Sequence, residues 1–152
     1  MKLKHLLMAQ YINGKFNRAD IAVRYLFLEW LHDRSRVGSE LYRKMQRGRW
    51  PGCSEEKIDN AVRGYIQLYY SICDVGIKEP ITLNPDLTIG DGAHRVACSL
   101  YLNIKRVPVI VNSKHRPISD FSITWFMENG FTPRELNIIQ YRLEWWKWLR
   151  WC

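Results

Sequence analysis

The densest chemistry at short spacing is the run Gly90-Asp91-Gly92-Ala93-His94-Arg95. Glycine at 90 and 92 lets the backbone approach a ligand closely and adopt positive φ. Leu87-Thr88-Ile89 alternates as a strand before the run, while Val96, Ala97, Leu100 and Tyr101 recur at helical spacing after it. The run is thus a turn that opens a helix. The first N–H groups of such a helix have no acceptor within it, and its dipole end is positive. Gly90, Gly92 and Ala93 would offer amides to a phosphate. Arg95 can fork onto the same group, and His94 can donate a further hydrogen bond or relay a proton. Asp91 would repel a phosphate directly. It suits a metal role at one remove, holding Mg²⁺ beside the phosphates, or acceptance of a proton from a hydroxyl nucleophile. Asp91 and His94 are therefore the candidate catalytic groups. The same six residues also read as a plain tight turn, with Asp91 as a cap and Arg95 on the surface.

Several elements must hold this turn. Asn17 is placed to cap a helix with Asp20 at N3, Phe16 and Ile21 as its staple, and Tyr25 and Leu28 on one face. A shorter helix follows Ser39 and stops near Gly48, and Trp50-Pro51-Gly52 breaks the chain. Ser54 caps a long helix with apolar positions Ile58, Val62, Tyr65, Tyr69 and Ile72, ending at Gly76. Ile81-Thr82-Leu83 and Leu87-Thr88-Ile89 flank the turn residues Asn84-Pro85-Asp86 and read as a hairpin. Val107 to Val111 is a strand, kept to an edge or to its own start by Pro108. Thr132-Pro133-Arg134-Glu135 is a capping box that opens a last helix through Leu136, Ile139, Leu143 and Trp146.

The chain has 152 residues, 47% apolar and 25% charged, which suits one soluble globular domain. Its apolar runs are too short for a membrane span, and the start lacks a signal-peptide cleavage pattern. Cysteines at 53, 73, 98 and 152 form no C-x-x-C pair, so a zinc finger or disulfide framework is not expected and a reducing cytoplasm fits. The net charge of +8 is uneven: residues 1–50 carry 11 basic and 4 acidic side chains. Arg34, Arg36, Arg43, Lys44, Arg47 and Arg49 form a cationic stretch that could attract an anionic substrate or DNA. Trp145, Trp146, Trp148 and Trp151, interleaved with Arg142, Lys147 and Arg150, read as core packing or as a homodimer, membrane or nucleic-acid surface.

Taken in order, the helix ending at Gly76, Pro80-Ile81, the hairpin, Asp91-Gly92-x-His94-Arg95, the amphipathic helix and Val107-Pro108-Val109 resemble the ParB/sulfiredoxin superfamily over residues 54–111. Sulfiredoxins of that family carry Gly-Cys-His-Arg, and Ala93 here removes the reacting cysteine. Partition proteins carry Gly-Glu-Arg-Arg and close variants. The free-serine kinases carry Asp-Gly-His-His-Arg, which Asp91, Gly92, His94 and Arg95 match with Ala93 in place of one histidine. The resemblance implies an α+β fold with a small mixed sheet and a nucleotide-binding core at 54–111; the residues themselves add a helical basic extension at 1–50 and C-terminal helices at 118–152. It implies phosphates of ATP or ADP, with CTP as a further candidate, bound at Gly90–Arg95 with Mg²⁺. The activity implied is phosphoryl transfer to a small hydroxyl-bearing molecule, and the alternative is a non-catalytic nucleotide- or DNA-binding module. A catalytic glutamate of the kinase branch could correspond to Glu29, Glu40 or Glu79.

Overall fold

The computed structural model describes residues 1–116 and 120–149. Its elements run α1 (Leu3–Met8), β1 (Tyr11–Ile12), β2 (Lys15–Phe16), α2 (Asp20–Leu31), α3 (Gly38–Arg49), α4 (Glu55–Val75), β3 (Ile81–Leu83), β4 (Ile89–Asp91), α5 (Ala93–Tyr101), β5 (Val109–Val111), α6 (Ile123–Glu128) and α7 (Pro133–Leu149). The fold is mixed α and β. β1 and β2 form a small antiparallel ribbon, and the second sheet has the order β4-β3-β5. β3 pairs antiparallel with β4 and parallel with β5, so this sheet is mixed. Pro108 lies just before the edge strand β5, where its missing N–H removes no ladder bond, and its carbonyl accepts from the Ile81 N–H at 2.9 Å.

α2 is at the centre of the core. Ile21, Ala22, Val23, Leu26, Phe27 and Leu28 are all buried, which covers nearly every side of the helix and requires packing all round. It packs against α3, α5 and α7. Gly38 permits the close approach of α3, because a Cβ there would lie 2.0 Å from the Leu26 carbonyl oxygen. The first fifty residues are thus more than an extension beside the sheet. The chain start is stitched in as well: the Met1 ammonium donates to the Val107 carbonyl at 2.8 Å, and the Leu3 N–H to that of Lys105 at 2.9 Å.

Asn17 does not cap α2, which begins at Asp20 after Ala19 with no side-chain cap. The Asp20 carboxylate is drawn to arginines instead, and the Asn17 backbone bonds Gln10 and Phe121. Ser54 caps α4 through the Lys57 N–H at 3.2 Å, and Ile58, Val62, Tyr65, Tyr69 and Ile72 are its buried face. In the hairpin, Asp86 Oδ1 accepts from both the N–H and the hydroxyl of Thr88, and Leu87 takes φ 68°. This turn geometry delays β4 to Ile89, two residues beyond the expected start. The capping box forms as expected: Thr132 Oγ1 accepts from the Glu135 N–H, and Glu135 Oε1 from the Thr132 N–H. No helix among the described residues is long and apolar enough to cross a membrane.

Candidate functional site

β4 delivers the chain into α5 through Gly92, which sits at φ 110°. A Cβ at this position would lie 3.2 Å from Arg95 Nε and Nη2 and from Ile81 Cγ1, so both conformation and space call for glycine. Gly90 lies within β4 and does not use the positive φ open to it. Two cavities flank the turn and share Leu68, Asp91, Gly92 and His94. The first, about 380 Å³, also takes in Gly90, Ala93, Arg18, Arg24 and Arg49. The second, about 330 Å³, runs past Ile72, Ile77, Lys78, Glu79 and Arg95. The mouth of α5 is therefore open on both sides.

The arginines come from the first fifty residues. Asp20, fully buried, binds Arg18 through two bonds (Nε at 2.9 Å, Nη2 at 2.8 Å) and Arg24 Nη1 at 2.6 Å. Burial alone would raise the Asp20 pKa, but Arg18 and Arg24 overcome it and hold the group at about 2. Arg18 Nη1 also donates to the Ile89 carbonyl at 3.0 Å, which ties the cluster to β4. Arg49 rests against the rings of Trp50 and Phe121 and has no carboxylate partner among the described residues. Burial and the neighbouring Arg24 lower its pKa to about 10. The Arg24 side chain is 2% exposed, and its Nε has no acceptor.

A chain of hydrogen bonds runs from this cluster to His94. Arg49 Nη1 donates to Gln46 Oε1 at 2.9 Å, which orients the amide so that Gln46 Nε2 donates to Tyr42 Oη at 2.9 Å. The Tyr42 hydroxyl must then donate to His94 Nε2, also at 2.9 Å. This network assigns the imidazole proton to Nδ1. The ring lies edge-on to Tyr65 at 4.5 Å. Burial, reinforced by Arg24 and Arg49, pushes the His94 pKa well below the ordinary histidine range. His94 is thus a neutral donor or acceptor and adds no positive charge of its own.

Arg95 is not the free surface arginine that the sequence suggests. Its side chain is 11% exposed, and Nη1 donates to the carbonyls of Glu79 and Pro80, each at 3.1 Å. Nη2 binds Asp91 Oδ2 at 2.7 Å, leaving Oδ1 of that exposed carboxylate without a contact to Arg95. Of the three candidate glutamates, Glu79 is at the turn, 3.5 Å from Arg95. Glu29 pairs with Arg142 at 2.6 Å, beside Tyr25 and Tyr101 at the far end of α5. Glu40 lines neither cavity. Ala93 and Gly92 are buried at the helix mouth, and Cys98 is fully buried in the core. No group of three or more metal-ligating side chains occurs among the described residues. Asp91 and Glu79, with exposed carboxylates, nevertheless suit a cation held mainly by phosphate oxygens and water.

The cationic stretch of α3 is largely neutralised. Arg43 pairs with Asp59, Lys44 with Glu135 and Arg47 with Glu55, while Arg49 turns inward. In α7, Trp146 is buried in the core and Trp145 is half exposed beside Arg142. The side chain of Trp148, and Arg150 and Trp151 altogether, lie outside the described residues. Sequence reasoning missed Arg18, Asp20, Arg24, Tyr42 and Gln46. One signal was present: Asp20 and Arg24, spaced i,i+4, are the charged residues in the otherwise apolar run 20–28 of α2, where burial requires them to pair. No family model, curated protein or solved structure matches the chain.

Proposed function

We propose that the chain is a nucleotide-dependent phosphotransferase of ParB/sulfiredoxin type that moves a phosphoryl group from ATP or ADP to a small hydroxyl-bearing molecule. The observation that carries this reading is the open helix mouth: Gly92 and His94, at the start of α5, line both cavities that flank the turn. Free amides at a helix N-terminus are suited to phosphate. The order hairpin, glycine turn, helix, parallel edge strand supports the family assignment.

In this reading the nucleotide's phosphates lie on the N–H groups of Gly92, Ala93 and His94, and its nucleoside on Leu68, Ile72 and Ile77 of the second cavity. Asp91 and Glu79 would hold Mg²⁺, which when bound offsets phosphate charge. His94 Nδ1–H donates toward the transferred group. Gln46 and Tyr42 keep the proton on that nitrogen. The acceptor's hydroxyl oxygen attacks the terminal phosphorus, and the bond from phosphorus to the bridging oxygen breaks. The hydroxyl proton passes to Asp91 and on to water, and the shortened nucleotide leaves. Arg95 holds Asp91 and the start of β3 in place.

Incubation with ATP, ADP or CTP, Mg²⁺ and a panel of hydroxyl metabolites, read by phosphorus NMR, tests the proposal. A new phosphoester whose formation is lost in Asp91→Asn supports it. Absence of both product and nucleotide binding overturns it. Binding without transfer would favour the second reading, a non-catalytic nucleotide-binding module, for which the pairing of Asp91 with Arg95 is the favouring observation.

A further inference from the structure

The arginine wall exceeds what a metal-chelated nucleotide tail requires. Asp20 is saturated by Arg18 and Arg24, so three guanidinium groups face one carboxylate and the cluster carries a net charge of +2. Arg24 Nε is buried without an acceptor, and Arg49 has no carboxylate among the described residues. Buried like charge of this kind is costly until a counter-charge joins it. A magnesium–nucleotide brings its own cations and suits carboxylates: Asp91 lines both cavities with its charge met by Arg95, and Glu79 lines the second. The arginines therefore call for a separate, metal-free anion.

We infer that the first cavity holds the acceptor, and that the acceptor is itself a phosphate monoester whose dianion sits on Arg18, Arg24 and Arg49 with its free hydroxyl toward Gly92 and His94. This rests on the transferase reading and names its substrate class. One tetrahedral dianion matches the surplus of +2, whereas a carboxylate would leave one charge uncompensated. The volume, about 380 Å³, lies in the range of small-molecule sites.

Isothermal titration calorimetry at low salt, with EDTA and no nucleotide, tests the inference with glycerol 3-phosphate as probe. The expected result is saturable binding to the wild-type chain, none for glycerol, and at least a tenfold weaker Kd in Arg49→Gln with an unchanged near-ultraviolet spectrum. A second titration needs no variant: saturating glycerol 3-phosphate should leave the Kd for a non-hydrolysable ATP analogue with Mg²⁺ within about threefold. Competition between the two ligands would overturn the inference, because the arginines would then belong to the nucleotide. Absence of monoester binding in the wild type would also overturn it. If the monoester binds and no nucleotide does, the anion site stands and the transferase reading falls.

Discussion

Replacing Asp20 by Asn tests how the cationic wall is held. The carboxylate is fully buried and bonded to Arg18 and Arg24 at 2.6–2.9 Å. Its pKa falls from the usual 3.8 to about 2, which corresponds to about 2–3 kcal/mol of stability. Because the folded value is the lower one, this contribution is present above about pH 4 and is lost as the pH falls through about 2. An amide at this position removes the charge at every pH and leaves two buried guanidinium groups unpaired, at a cost of about 3–5 kcal/mol. Urea denaturation at pH 7 should show that loss as a lower midpoint with an unchanged slope. Added inorganic phosphate should restore part of it, since an anion bound at 100 times its Kd contributes about 2.7 kcal/mol. A loss below about 1 kcal/mol, or no recovery with phosphate, would refute the argument that Asp20 organises an anion-binding wall.

Other predictions concern the turn and its supports. Gly92→Ala should destabilise the fold by about 1–3 kcal/mol through its positive φ and crowding against Arg95, and should weaken phosphate binding, both measurable by melting with and without ligand. His94 should show an Nδ1–H tautomer that stays neutral as the pH falls through about 6.5, where an ordinary histidine protonates, in nitrogen-correlated NMR. Since its folded pKa lies below the unfolded one, its contribution to stability should decline as pH drops below about 6.5, and a His94→Gln variant should lack that component. Tyr42→Phe removes the hydroxyl between Gln46 and His94; it should cost about 1–3 kcal/mol and let the imidazole proton redistribute, visible in the same spectra. Ser54→Ala should cost about 1 kcal/mol and leave ligand binding untouched, since Ser54 lines neither cavity.

What could be read along the chain was what is encoded locally. Ser54, the Thr132–Glu135 box and the five buried positions of α4 follow from capping chemistry and helical period, and the structure has them as expected. The hairpin was legible from Asn84-Pro85-Asp86, but the start of β4 was not, because Asp86 extends the turn by bonding Thr88. α1 and the β1–β2 ribbon carry little periodicity of their own; they are held by tertiary bonds such as that from Gln10 to the Leu87 carbonyl. Half of the candidate site was visible, since Gly92, His94 and Asp91 are neighbours in sequence. The other half assembles only when α2 packs between α3 and α5, which no spacing between Arg18, Arg49 and Gly92 reveals. Arg95 looked free for the same reason: the carbonyls it holds, at Glu79 and Pro80, approach it only once β3 is in place.

A crystal structure of the protein grown with a non-hydrolysable ATP analogue and Mg²⁺ shows most directly whether the mouth of α5 holds the nucleotide. The expectation is phosphate oxygens within hydrogen-bonding distance of the N–H groups of Gly92, Ala93 and His94. Phosphates bound elsewhere, or a helix mouth that stays free of ligand at saturating nucleotide, would contradict it.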